Sequence, residues 1–244
     1  MAPSNTWGDT DTLASKDSWT TDTETLALED YPEPSYTTQP LPAEFRSLTV
    51  SNTRFQNLSI SLPNSSSTLF YVNNSSWTPG KPSVTLSKGS KEGPILGVLK
   101  IGAWRENTVG LGDPNKGEIN WETLKKTSNW THGTYEFEFG GMGNRRRFTW
   151  QRTRQPIFGD QPDLELRENV ESGATGDVLA VYKGCQGLFS RVRGTFYVMR
   201  GVHGRSDDEK WDDWEVMVLL TGCGIIEASR RRARARRRAA GGGA

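Results

Sequence analysis

From Leu69 onward, short apolar runs alternate with polar positions and stop at turn residues every ten positions or so, the spacing of small β-domains. Leu69-Phe70-Tyr71-Val72 ends at Asn73-Asn74, Ser83–Leu86 ends at Lys88-Gly89, and Ile95–Ile101 ends at Gly102. Tyr135, Phe137 and Phe139 share one face of a strand, Gly140–Asn144 supplies a turn, and Phe148 and Trp150 return on the partner strand. Further strands are predicted at Asp163–Glu168, Val178–Tyr182, Arg191–Met199 and Trp211–Leu220. This pattern predicts an all-β sandwich or barrel rather than βαβ units. No repeat of fixed period is present, which argues against a propeller or solenoid.

The two flanks behave differently. Residues 1–45 are rich in Ser and Thr, carry Pro32, Pro34, Pro40 and Pro42, and lack any sustained period of 2 or 3.6. They are expected to be a disordered tail, since they cannot bury enough apolar surface to offset backbone entropy of about 1–2 kcal/mol per residue. Residues 46–66 are ambiguous: Leu48, Val50, Leu58, Ile60 and Leu62 alternate with polar residues, as in one or two edge strands, yet a linker is also consistent. The folded domain is expected over 67–238, with 239–244 a flexible Gly-rich end.

Val216–Ile226 is eleven residues without a charge, followed by an Arg/Ala run. Read as a helix it is apolar on every side, so it must be surrounded, and at 1.5 Å per residue it spans about half of a bilayer's hydrocarbon core. A core helix is therefore preferred to a membrane anchor, and the chain is not expected to be an integral membrane protein. Val216, Leu219, Leu220, Gly222, Cys223, Ile225 and Ile226 are the residues expected to fill the interior. Gly222 and Gly224 lower helix propensity, which close approach of a neighbouring wall explains. β-branched Val216 and Val218 keep a buried final strand, Glu215–Leu220, open as the alternative.

Charge sharpens this division. Among the first 45 residues nine acids face one lysine, a net of −8, while Ser229–Ala244 holds seven arginines and no acid, a net of +7. With +1 for the whole chain, the body between is nearly neutral at +2. The hydrophobic share of 34% and mean hydropathy of −0.65 fit a domain with polar flanks. Two cysteines, Cys185 and Cys223, exclude a disulfide-rich scaffold. Asp9 and Asp11, and the lack of an apolar segment near them, predict an intracellular location, cytoplasmic or nuclear.

A β-rich domain closing with an apolar helix and a basic end resembles the tubby C-terminal-like fold of tubby-like proteins, LURP-one-related proteins and phospholipid scramblases. Within it the chain is similar to uncharacterised fungal proteins, on Tyr71-Val72 with Trp77–Pro82, Gly110–Pro114, Phe148–Arg152, Gly176–Tyr182 and Leu219–Gly222 before the arginines. The resemblance covers about residues 67–240 and implies a closed antiparallel barrel of about twelve strands around a central hydrophobic C-terminal α-helix. It also implies binding to phosphoinositides or other phospholipids, though none of the family's basic positions maps onto a residue here.

Catalytic chemistry has little support. His132 and His203 are the two histidines, no G-x-S-x-G turn occurs, and no Cys/His pair is close in sequence. His132, Cys185, His203 and Cys223 could supply four zinc ligands but lack the spacing of such sites. Asp207-Asp208-Glu209 and Asp212-Asp213 read as a solvated acidic turn rather than a paired-carboxylate or calcium site. No enzyme activity, metal or cofactor is expected.

The basic clusters are the candidate sites. Arg145, Arg146 and Arg147 follow a glycine-rich turn, where backbone N–H groups and guanidinium forks together suit phosphate, although arginines also guard strand starts. Lys125, Lys126, Arg152 and Arg154 are candidates for the same face. Arg230, Arg231, Arg232, Arg234, Arg236, Arg237 and Arg238 form a solvated or anion-contacting helix end, with a nuclear address as the second reading. Without interleaved aromatics, specific nucleic-acid binding is not expected. The predicted partner is an anionic membrane lipid, and the alternative is an adaptor that recruits proteins through phosphorylation of residues 1–45.

Overall fold

The computed structural model describes residues 45–241 except 54–55, 76–80, 103–105, 118, 128–133, 142, 153–163, 170–174, 186–190 and 201–211. The acidic tail therefore lies outside the described residues. Within them the chain forms β1 (Phe45–Asn52), β2 (Leu58–Ser61), β3 (Thr68–Asn74), β4 (Val84–Lys88), β5 (Ile95–Lys100) and β6 (Asn107–Leu111). There follow β7 (Trp121–Lys126), β8 (Thr134–Phe139), β9 (Arg146–Arg152), β10 (Leu164–Asn169), β11 (Thr175–Gly184), β12 (Val192–Met199) and α1 (Asp213–Gly241).

The twelve strands pair antiparallel in chain order, and β1 pairs with β12 from Phe45↔Met199 to Val50↔Gly194, so the sheet closes into a barrel. Closure removes the unpaired edges that an open sheet of this length would expose. Alternation produces the two faces: Leu48 and Val50, Phe148 and Trp150, and Phe196 and Val198 point inward and are fully enclosed. An eight-stranded barrel is filled by side chains alone, whereas twelve strands leave room for a helix about 10 Å across. α1 occupies that room, and every residue from Trp214 to Ile225 is buried.

Local chemistry makes this segment a helix. Asp212 Oδ1 accepts from the backbone N–H of Glu215 at 2.7 Å, an N-cap with a Glu at the third helical position. Thr221 returns its hydroxyl proton toward the carbonyl of Met217 at 2.8 Å and accepts from Trp150 Nε1 at 2.9 Å, so neither buried polar group is left alone. The two interior glycines are where the wall comes closest. A Cβ on Gly222 would lie 2.7 Å from the Phe196 ring, and one on Gly224 would lie 2.4 Å from Leu99 Cδ1. Burial pushes the Cys223 thiol up to about 12, consistent with a small core hydrophobe.

Four expectations are refined. Within residues 46–66, β1 and β2 are neither linker nor sheet edge but full members of the wall, and β1 forms its closing seam. The barrel therefore begins at Phe45 rather than at residue 67. Helix α1 replaces the strand alternative for Glu215–Leu220 and continues through Ala239-Ala240-Gly241, which were expected to be flexible; residues 242–244 lie outside the described residues. Ile226 is half-buried, while Val216, Leu219, Leu220, Gly222, Cys223 and Ile225 are enclosed.

Candidate functional site

The two ends of the barrel differ because α1 is enclosed at one and emerges from the other. At its N-terminal end Glu215 is wholly buried and meets Arg46 of β1, itself 5% exposed. Arg46 Nη1 donates to Glu215 Oε2 at 3.2 Å and stands 3.1 Å from Oε1. Burial drives the Glu215 carboxyl upward, and the Arg46 charge opposes that shift. A buried cation meets a buried anion there.

The helix emerges near Ser229, where β8 starts and β9 ends. Arginines lie on three sides of it, as a period of 3.6 dictates for a run with so few gaps. On the side of β3 and β4, Glu227 is buried and Oε1 accepts from Arg231 Nε at 3.0 Å and Arg234 Nη2 at 2.8 Å. Arg231 Nη2 also donates to the carbonyl of Ser75 at 2.6 Å. These two cations thus share one carboxylate.

On the side of β8 and β9, Arg232 Nη1 donates to the Tyr135 hydroxyl at 3.2 Å and Nη2 to Ser229 Oγ at 3.2 Å. Arg152 Nη2 donates to the same Ser229 oxygen at 2.7 Å. Ser229 spends its own proton on the carbonyl of Ile225 at 2.8 Å, so its two lone pairs receive the two guanidiniums. Burial lowers the Arg152 pKa, and the neighbouring Arg232 charge lowers it further. On the third side Arg230 is half-buried near Tyr182 and Arg193 and makes no hydrogen bond or ion pair with the described residues. Burial lowers its pKa first, while Tyr182 and Glu227 pull the other way. Arg236, Arg237 and Arg238 are exposed on the last turns.

The hairpin cluster has a different character. Gly140 and Gly143 adopt φ of +133° and +88°, as its turn requires. Arg145 pairs with Glu122 and, at 3.5 Å, with Glu138; Arg146 pairs with Glu168 at 3.1 Å, and Arg147 with Glu138 at 3.2 Å. The Glu122 hydrogen bond and charge hold the Arg145 pKa above its ordinary value. Three carboxylates on β7, β8 and β10 thus answer three arginines, a cross-strand lacing in which Arg146 and Glu168 share the inward phase of Phe148 and Leu166.

Arg152 does not join that hairpin. Inward alternation from Phe148 through Trp150 carries it to the opposite end of β9, beside Arg232. Lys126 is opposite Tyr135 in the β7–β8 register and follows inward-facing Leu124 by two, so it belongs to the same layer. Tyr135 and Ser229 were not among the sequence-predicted site residues; Tyr135 reads as a core aromatic and Ser229 as a helix filler. Cys185 is exposed and Cys223 buried, while His132, His203, Asp207–Glu209 and Arg154 lie outside the described residues. Among the described residues no helix is long and apolar enough to cross a membrane. No family model, curated protein or solved structure matches the chain.

Proposed function

We propose that this protein is a non-enzymatic binding barrel of the tubby C-terminal-like kind that docks reversibly, inside the cell, on anionic phospholipid head groups. The observation that carries this reading is the helix exit. There Arg230, Arg232 and Arg236–Arg238 stand without a carboxylate among the described residues, whereas the hairpin arginines are matched one for one. The interior supports binding at the surface rather than chemistry within, because α1 fills it. A projecting basic helix end gains about 1 kcal/mol per arginine near a negatively charged leaflet, and salt screens that gain.

Vesicle co-sedimentation of the full chain tests this. At low salt the protein is expected to bind vesicles containing phosphoinositide and to ignore neutral phosphatidylcholine vesicles. Replacing Arg236, Arg237 and Arg238 together by Gln is expected to weaken binding on the order of a hundredfold. Equal sedimentation with neutral and anionic vesicles would refute the reading.

A further inference from the structure

We infer that the barrel has a built-in opening point, the half of the β7–β8 seam that lies at the enclosed end of α1, and that Arg145 is the clasp holding it shut. This end of the wall is opposite the helix exit, so the device does not depend on what the exit binds.

Backbone pairing stops short at this seam. β7 and β8 are in register at Lys126↔Tyr135 and Lys125↔Glu136, and the ladder does not continue across Trp121–Leu124 and Phe137–Phe139. Every other pair of neighbouring strands keeps register over four positions or more among the described residues. Each lip is tied instead to its outer neighbour: Trp121–Leu124 pair with Asn107–Gly110 of β6, and Phe137–Phe139 pair with Arg146–Phe148 of β9. The residues of β7 account for the parting. The inward phase of Leu124 leads next to Glu122, and a carboxylate is not drawn into an apolar core. Beyond Leu124 this half of β7 therefore has no enclosed side chain to anchor it.

Side chains take over where the ladder ends. Arg145 stands at the end of the β8–β9 turn and reaches back past β8: Nη2 donates to Glu122 Oε2 on β7, and Nε lies 3.5 Å from Glu138 Oε2 on β8. One guanidinium thus spans both lips, as its planar fork of donors allows. The turn aims it. A Cβ on Gly140 would lie 2.2 Å from the Asn144 carbonyl oxygen, and Asn144 donates its N–H to the Gly141 carbonyl at 3.1 Å, so the chain is folded tightly just before Arg145. Arg147, by contrast, pairs with Glu138 inside the β8–β9 hairpin and does not cross the seam. On the inward side lie Leu124, Phe137 and Phe139, with the Phe139 ring 5.7 Å from that of Trp214. Opening the seam bares this apolar floor and the first turn of α1. The clasp is partly exposed to water, so its ion pairs are individually weak and salt weakens them further. It biases the seam toward the closed state without locking it.

Amide hydrogen exchange of the full chain, followed residue by residue at low salt, tests this. In the wild type the amides of Trp121–Leu124 and Phe137–Phe139 that face the seam are expected to exchange at least about tenfold faster than those of Leu48–Val50 in the β1–β12 seam. Arg145→Gln is expected to speed exchange at the β7–β8 seam a further three- to tenfold, roughly the worth of two exposed ion pairs, and to leave the β1–β12 seam unchanged. Arg145→Lys keeps the charge without the fork and should fall between the two, while Arg147→Gln should exchange like the wild type. Added salt is expected to accelerate the β7–β8 seam in the wild type and to have little effect on it in Arg145→Gln. Seam amides as well protected as those of Leu48–Val50 would overturn the opening point. Exchange there that is fast but the same in wild type and Arg145→Gln would overturn the clasp. So would acceleration by Arg145→Gln that is uniform around the barrel, since Arg145 would then support the whole fold rather than one seam.

Discussion

The two ends of α1 solve the same electrostatic problem in opposite ways. At the enclosed end Trp214 and Glu215 are shut away from water, the Trp214 ring lies 4.6 Å from that of Phe148 and 5.7 Å from that of Phe139, and Arg46 is set against Glu215. Desolvating an ion costs several kcal/mol, so a charge placed there must have its partner. At the emerging end water reaches the arginines, and cations can outnumber carboxylates without a comparable penalty. One end is therefore specified by stability, whereas the surplus charge of the other is available to a ligand. The hairpin at β8–β9 shows that exposure alone does not create such a surplus, since exposed Arg145 and Arg147 and half-buried Arg146 are laced to Glu122, Glu138 and Glu168 all the same.

The largest effect that would break this contrast comes from Arg46→Met. Removing the cation leaves the buried Glu215 carboxylate facing Asp212, with Arg200 as the remaining nearby cation among the described residues, and is expected to cost about 3–5 kcal/mol at neutral pH. The sign of the pH dependence follows from burial. The folded Glu215 holds its proton more tightly than the unfolded one, so stability declines as pH rises from the ordinary carboxylate range through the raised folded pKa. Loss of Arg46 raises that pKa further. The variant's deficit should then be largest at neutral pH and shrink on mild acidification, as urea denaturation across this range will report. A variant as stable as wild type at neutral pH would mean that the enclosed end does not depend on matched charge.

A smaller effect is expected where α1 passes closest to the wall. Gly222→Ala gains helix propensity but sets a methyl 2.7 Å from the Phe196 ring, so it should destabilise by about 1–3 kcal/mol. Gly241→Ala places the same methyl in open space and should cost nothing measurable. Thermal melts of the two variants compare the same chemical change inside and outside the barrel.

Much of this architecture could be read from the chain, and the exceptions have physical causes. The β8–β9 hairpin was legible because Tyr135, Phe137, Phe148 and Trp150 combine clean alternation with a glycine turn. The helix was legible because an apolar surface on all sides demands enclosure, while Val216 and Val218 kept a strand in play until the Asp212 cap and the surrounding wall decided it. β7 escaped notice because Leu124 is its one enclosed side chain, too few for an alternation to register. β6 was hidden by Gly110, which reads as a turn but is in the strand because Ile119 packs where its Cβ would be, 2.2 Å away. β1 and β2 displayed alternation, yet their place in the closing seam depends on β12, far away along the chain. The site was half legible. The arginine run announced its charge, but which arginines are answered depends on Glu227, Ser75 and Tyr135, brought together only by closure. Arg152 had the inward phase of Trp150, and only the closed barrel puts that phase at the helix exit.

The smallest expected effect sharpens the comparison most. Arg236, Arg237 and Arg238 are exposed and touch no carboxylate among the described residues, so replacing all three by Gln should change unfolding free energy by no more than about 0.5 kcal/mol. Arg231→Gln, by contrast, removes donors from buried Glu227 and from the Ser75 carbonyl, and should cost on the order of 1–3 kcal/mol. Denaturation midpoints that separate these two variants, together with vesicle binding lost in the triple substitution, would divide α1 into a part that holds the barrel and a part that meets a partner. Equal destabilisation by both would instead make the last turns a structural cap, and the excess of cations at that end would need no ligand to explain it.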